Sequence, residues 1–342
     1  MKDLDISLIL NDDNHPNPNF IYKVRKNVYG IYAEPSKGRP FLLTAARDHE
    51  KAASSGIRTY DVKKGKRLFE RLAQILRMKK VDAKRIGLDK AHISLLVFER
   101  LRKELGGRYF DISDAMLQER AVKDAAELRK LKAACRITDE AFAALIKDWH
   151  FKTEREVKDK LQSEIMKRGA DLSFPTIAAS GRGASDPHYD EEGVLRKGFM
   201  VIDFGARYKG YHADMRRTVF IGKPSGMDME MYSAVLHSLE GSASAVKPGM
   251  KADDLFDLGK KRLGKYSELL IHSLGHGVGL QIHEDPSISP GSEDVFRDDN
   301  VFTIEPGVYA QGKLGIRIED TFHLSDGKAV PLTKTSRELI IL

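Results

Sequence analysis

The stretch VIDFGARYKGYHADMRRTVFIG, residues 201 to 222, constrains the chain more tightly than any other. It reads as two paired apolar strands, and each carries an aspartate, Asp203 and Asp214, where a core strand would hold valine or isoleucine. An ionised carboxylate taken out of water is strongly unfavourable unless something pairs with it. A strand-end cap or a few backbone N–H groups would satisfy one such residue. Two in one strand pair ask for a larger partner.

The same anomaly recurs further along. Glu305 interrupts the apolar run VFTIEPGVYA, and Glu319 lies in KLGIRIEDTFHL, where Leu314, Ile316 and Ile318 share one strand face and Arg317 and Glu319 the other. His276 lies in IHSLGHGVGLQIHED, where Gly275, Gly277 and Gly279 are expected to break regular structure and let backbone approach closely. Singly, each residue has an ordinary explanation: a cap for the aspartates, Arg317 as a partner for Glu319, a satisfied imidazole for His276. Together, four converging carboxylates repel one another, and at neutral pH cations hold such a set ionised. Oxygen donors with one histidine and no thiolate suit manganese or cobalt, with zinc or iron as alternatives. Two divalent ions are expected rather than one, because shared carboxylates can bridge metals a few ångströms apart. A phosphate-loop reading of GHGVG is weak, since no Gly-Lys-Ser/Thr follows.

The rest of the chain sets the frame for this cluster. Its 342 residues, 41% hydrophobic and 31% charged, suit one large domain or two ordinary ones. The N-terminal apolar stretch ISLIL is too short for a secretory segment or an anchor, and no run approaches the length of a membrane span. A single cysteine, Cys135, excludes an intrachain disulfide and agrees with a reducing compartment, so a cytoplasmic protein without membrane association is expected. The net charge of +7 raises the question of nucleic acid, and the densest basic stretch is KKGKRLFERLAQILRMKK, residues 63 to 80. There Leu68, Leu72, Ile75 and Leu76 recur at helical spacing, which makes it an amphipathic helix with its basic side in solvent. It lacks the aromatic interleaving of a single-strand binder, and no nucleic-acid partner is expected.

RPFLLTAA followed by RDHEKAAS, and RIGLDKA followed by ISLLVFERLRKEL, alternate strand with helix in the manner of a small α/β domain. Its histidines His15, His49 and His92 are scattered and read as surface or capping residues. Residues 111 to 149 read as one long helical segment, with an interruption left open, that opens a second domain. From residue 174 strands dominate, with further helices near residues 227 to 246 and after Lys251. The division expected is a small N-terminal α/β domain over residues 1–111 and an α+β catalytic domain over 112–342.

The ordered set Asp203, Asp214, His276, Glu305 and Glu319, in the contexts VIDFG, YHADMRRT, GHGVGLQIHE, TIEPGVY and GIRIED, resembles the pita-bread metallopeptidase family of methionine aminopeptidase, aminopeptidase P and prolidase. The resemblance spans residues 112 to 342, and the preceding α/β domain is what aminopeptidase P and prolidase carry. It implies a creatinase/aminopeptidase-like fold, in which a curved antiparallel sheet is backed by helices in two similar halves. Proline-specific members place further histidines, an arginine and a tyrosine around the metals. Here His188 in SGRGASDPHYD, His272 four residues before His276, His283 seven after it, Arg317 two before Glu319, and Tyr309 after the Glu-Pro pair all match.

The resemblance therefore implies hydrolysis of the bond between an N-terminal residue and proline, by an Xaa-Pro aminopeptidase acting on peptides with proline second. A strict Xaa-Pro dipeptidase is the alternative, and a metal-free peptide or nucleic-acid platform on the same fold is the rival from another class. Asp203 and Asp214 would hold one ion, Asp214 and Glu319 would bridge to the second, and His276 and Glu305 would complete it. Glu305 would also carry the proton to the leaving nitrogen, His283 and His188 would stabilise the oxyanion, and Arg317 would brace the ligands. His272 and Tyr309 would shape the proline pocket, and a homodimer is expected from the relatives. Two positions depart from the family pattern. Arg216 stands where Asp-x-Thr-Arg-Thr has its first threonine, and Ser287 stands where archaeal-type prolidases often place an arginine that grips a dipeptide carboxylate. The second departure favours longer peptides.

Overall fold

The computed structural model describes residues 3–12, 15–62 and 67–342, and these divide into two compact units, Met1–Arg120 and Ala121–Leu342. The first is built on a six-stranded sheet whose strands lie in the order Arg58–Asp61, Phe41–Thr44, Gly30–Pro35, Ile6–Asn11, Arg85–Leu88, Arg108–Asp111. Alternation sends Ile6, Leu8, Ile31, Ala33, Phe41 and Leu43 to one face, against Leu72, Ile75 and Leu76 of helix Leu68–Met78. Ile9, Tyr32 and Leu42 point the other way, against Phe20, Val24 and Ala52. The basic stretch thus contributes a helix over Leu68–Met78, while its residues 63–66 lie outside the described residues.

The unit boundary falls after Arg120 rather than after residue 111. Helix Ser113–Ala121 follows the last strand and inserts Met116, with Ile112 just before it, among Ile9, Phe20 and Tyr32, so it completes the first core. The interruption in the long helical segment lies just beyond it. Asp124 caps helix Ala125–Lys147, accepting from the Ala126 and Glu127 backbone N–H groups, while Glu127 bonds back to the Asp124 N–H.

The second unit is organised around two half-sheets, each backed by a helix pair, with a smaller three-stranded sheet and the two-stranded pair Gly307–Ala310 and Leu314–Arg317 beside them. In the first, strands Ile177–Ser180, Gly198–Phe204 and Met215–Ile221 pair antiparallel, with Gly198–Phe204 central. Met200, Ile202, Phe204, Met215 and Val219 face helices Ala125–Lys147 and Glu154–Lys167, whose Phe142, Leu145, Leu161 and Ile165 complete that core. Alternation leaves Asp203, Arg216 and Thr218 on the opposite face. The second half-sheet runs Glu284–Ile288, Gly275–Gly277, Val301–Ile304, Asp320–Ser325, Lys328–Pro331. Phe302, Ile304, Phe322 and Leu324 meet Val235 and Leu239 of helix Gly226–Ala245 and Leu255 of helix Ala252–Arg262, which again leaves the other face for Thr303 and Thr321.

The two half-sheets join along one seam. Arg216 and Glu319 form an antiparallel bridge, and beside it Thr218 Oγ donates to the Arg317 carbonyl at 2.8 Å while accepting the Arg317 N–H at 3.0 Å. Among the described residues no helix is long and apolar enough to cross a membrane.

Candidate metal centre

The site lies on this seam, on the face turned away from both helix pairs. Asp203 belongs to strand Gly198–Phe204, and Asp214 immediately precedes Met215–Ile221. The register places Arg216 directly opposite Asp203 on one side and opposite Glu319 on the other. Directly opposed residues point to the same face, so Asp203, Arg216 and Glu319 form a row across the seam. Asp214 is fixed by Thr321, whose Oγ donates to the Asp214 carbonyl at 2.7 Å.

His276 comes from the short strand Gly275–Gly277. Its glycines do not break regular structure, as their number suggests; they allow it. A Cβ on Gly275 would meet the Thr303 carbonyl oxygen at 2.1 Å, and one on Gly277 the Asp285 carbonyl oxygen at 2.1 Å, so only a side-chain-free backbone fits between these neighbours. The His276 N–H donates to Thr303 Oγ at 3.2 Å, and Nδ1 lies 3.0 Å from the Gly277 carbonyl. Burial, with His283 adding to it against the pull of Glu305, lowers the imidazole pKa. A neutral ring with its proton on Nδ1, against that carbonyl, turns the Nε2 lone pair toward the acids. Nε2 lies 3.7 Å from Asp214 Oδ2 and 3.6 Å from Glu305 Oε1.

Glu305 sits between strands Val301–Ile304 and Gly307–Ala310, held by its N–H on the Leu274 carbonyl at 2.8 Å and by an ion pair with Arg317. Burial pushes its carboxyl up, but the Arg317 guanidinium together with His276, His272 and Arg216 outweighs it and holds the pKa below the ordinary value. Asp214 and Glu319 are governed the other way. Burial, with Glu319 and Glu305 beside it, raises Asp214 well above the carboxylate range, and burial with Glu305 nearby pushes Glu319 up to about 8.

The chain's own donors leave part of this cluster unsatisfied: Asp203 Oδ1, Asp214 Oδ1 and Glu319 Oε1 are buried without a hydrogen-bond partner. One ligand atom each from Asp214, His276 and Glu319 all lie within 4.8 Å of one another. Orphaned carboxylate oxygens converging on a neutral imidazole fit a divalent cation, with Glu305 in reach to complete the set. Asp203 and Glu305 lie outside that group, each with one oxygen in an ion pair, Asp203 Oδ2 with Arg216 and Glu305 Oε2 with Arg317.

Around the cluster, His283 is exposed, with its ring edge-on to His276 at 4.3 Å between centroids. His272 lies edge-on to Tyr309 at 5.4 Å, and its Nδ1 is 3.0 Å from Arg317 Nη2. Burial, aided by Arg317, lowers the His272 pKa to about 3, so it stays neutral. Tyr309 also accepts from Arg216 Nη1 at 3.4 Å. His188 is the exception: it is exposed on a loop, where its N–H donates to Asp186 Oδ1 at 2.9 Å. Sequence reasoning missed Thr303 and Thr321, which hold the backbones of His276 and Asp214, and Thr218, which holds that of Arg317. Their signal was a threonine amid the apolar runs RRTVFI, VFTI and DTFHL.

Residues 25–122 match the profile of the Creatinase/Prolidase N-terminal domain, and residues 129–326 that of Metallopeptidase family M24. The chain is 36% identical over 279 residues to the Xaa-Pro dipeptidase of Pyrococcus furiosus, spanning 80% of this chain and 79% of that protein. Among solved structures, the X-Pro aminopeptidase from Thermotoga maritima MSB8 superposes with a TM-score of 0.90 at 32% identity, covering 99% of this chain and 98% of that one. The prolidase from Pyrococcus horikoshii OT3 gives 0.88 at 31% identity, covering 98% and 96%.

Proposed function

The chain belongs to metallopeptidase family M24, and from that membership we propose that it hydrolyses the peptide bond between an N-terminal residue and a following proline. The observation that carries this reading is the buried group Asp214, His276 and Glu319, whose unsatisfied oxygens call for a divalent ion, in a chain whose relatives are named for Xaa-Pro cleavage. The dipeptide is the first choice of substrate, because curated relatives from Pyrococcus furiosus and Lactobacillus delbrueckii, at 36% and 30% identity, are named Xaa-Pro dipeptidase. This reverses the order drawn from Ser287 alone. Longer Xaa-Pro peptides are the second reading, favoured by Ser287 itself, whose hydroxyl lies 3.0 Å from Ser289 Oγ and offers no charge to a free carboxylate.

Asp214, His276, Glu319 and Glu305 would hold the metal, which when bound supplies a Lewis acid and acidifies water for attack on the carbonyl. Arg317 orients the Glu305 carboxylate, and Glu305 passes the proton to the departing proline nitrogen. His283, exposed beside His276, donates to the oxyanion from the open side of the site. Neutral His272 and Tyr309, packed edge-on to each other, would form a wall of the proline pocket. His188 joins them only when its loop turns inward, a role proposed from the family pattern alone. A cytoplasmic homodimer with no nucleic-acid or membrane partner belongs to the same proposal, and light scattering on the purified chain measures the oligomer.

The test is a panel of Xaa-Pro dipeptides, Xaa-Pro-Xaa tripeptides and proline-free controls, assayed after chelation and after reloading with manganese, cobalt or zinc. Metal-dependent cleavage confined to proline substrates is expected. Proline-independent cleavage, or none with any metal, overturns the reading.

A further inference from the structure

Arg216 does more than depart from a family pattern. It is a buried guanidinium, 5% exposed, and it reaches into the centre along the row Asp203, Arg216, Glu319. Its Nη2 pairs with Asp203 Oδ2 and its Nη1 donates to the Tyr309 hydroxyl. A buried carboxylate accepts a cation from whichever source supplies one, and an arginine held by the strand register is always present at full occupancy. We infer that Arg216 takes the place of one of two metal ions, so that the centre holds a single divalent cation, on the Asp214, His276 and Glu319 side. The inference rests on the metal-centre part of the proposed function and not on its substrate.

The charge count points the same way. Asp203, Asp214, Glu305 and Glu319 contribute −4 and Arg216 and Arg317 contribute +2, leaving −2, which one divalent ion cancels. A second ion would carry the sum to +2 in a buried site, and it would share Asp203 with a guanidinium already paired to that carboxylate's Oδ2. A neutral hydroxyl at position 216 would leave −3 and an unpaired Asp203, which is a site that asks for a second cation.

The full-length chain is stripped with chelator, reloaded with excess manganese, desalted, and its metal counted by plasma mass spectrometry beside the electron paramagnetic resonance spectrum. About one ion per chain is expected, with the spectrum of isolated manganese, and Arg216→Thr should raise the count to about two with exchange-coupled signals. Asp203→Asn should leave the wild-type count unchanged, because Asp203 serves the arginine and not the ion. If Arg216→Thr fails to fold, the wild-type and Asp203→Asn counts decide alone. Two ions in the wild type, or an ion lost in Asp203→Asn, overturn the inference while leaving the peptidase reading intact; no bound ion overturns both. One ion without Xaa-Pro cleavage sinks only the substrate reading.

Discussion

Asp89, just past strand Arg85–Leu88, and Asp214, just before strand Met215–Ile221, are both aspartates with little exposed surface, 2% and 5%. Asp89 is surrounded by donors from its own unit. The Asn17 and Asn19 amides donate to Oδ2 at 2.8 and 2.9 Å, Ser113 Oγ donates to Oδ1 at 3.0 Å, and His92 Nδ1 lies 3.1 Å from Oδ2. Burial alone would raise its pKa, yet these contacts, His92 foremost, hold it below the ordinary value. Asp214 has acids for neighbours, an orphaned oxygen and a raised pKa. A carboxylate that supports a fold finds its donors within the chain, and one that serves chemistry is left for an external cation to satisfy. Glu154 sets the same contrast inside the catalytic unit, with donors from Ser180, Tyr189 and Gly193.

The strongest way to break this contrast is Asp214→Asn. Loss of both bound metal and turnover is expected, beyond the roughly 10–100-fold typical of a residue that only orients a ligand. Metal analysis and steady-state rates check it, and near-normal turnover would place Asp214 with Asp89 as a structural acid. Next comes His283→Ala, at a residue that packs against His276 and is proposed to meet the oxyanion without holding the ion. Metal content should persist while kcat falls by about a hundredfold, the scale of one lost oxyanion donor. Metal lost together with activity would make His283 a ligand.

How far the site was legible from sequence follows from the same contrast. Asp203, Glu305 and Glu319 each break an apolar run, so chain-local patterning exposed them, and the glycines flanking His276 marked a close backbone approach. Arg216 stood out as a substitution, but its pairing with Asp203 depends on the register between two strands, which no local pattern encodes. Helix Ser113–Ala121 reads continuously with the helix after it, and only the packing of Met116 assigns it to the first core. Helix Glu154–Lys167 went unread between clearer segments, although Thr153 and Glu156 form its capping box. His188 matches the family pattern in sequence and stays exposed in space, because a motif specifies a position along the chain and not the conformation of its loop.

Asp89→Ala tests the other half of the comparison, since it removes the acceptor of the Asn19 amide and of one of the two Asn17 amide bonds in the N-terminal unit, the other going to the Leu10 carbonyl. A loss of about 2 kcal/mol in urea unfolding is expected, with no change in metal content. The folded pKa of Asp89 lies below its ordinary 3.8, so the wild-type advantage is complete above that pH and disappears as pH falls through the folded value. A gap that widened with acid would show that the carboxylate is not the stabilising form. The smallest effect concerns charge supplied by substrate. Ser287→Arg should improve kcat/KM for Xaa-Pro dipeptides by up to about tenfold if one charge-assisted contact of about 1.5 kcal/mol is regained. An unchanged constant would mean that another cation already grips the dipeptide carboxylate.

The seam between the half-sheets also governs how the catalytic unit comes apart. Asp214 belongs to one half, and His276, Glu305 and Glu319 belong to the other, each half closed over its own apolar core. Without metal, the seam is held by the chain's own hydrogen bonds and the Arg217–Asp320 ion pair alone, so coupling between the two cores should weaken and hydrogen exchange should report two distinct protection levels. An ion gripped from both sides favours only the state in which both halves are closed, so it merges the two openings into one. The proposed cation would then be a removable cross-link, and chelation should convert one cooperative block into two.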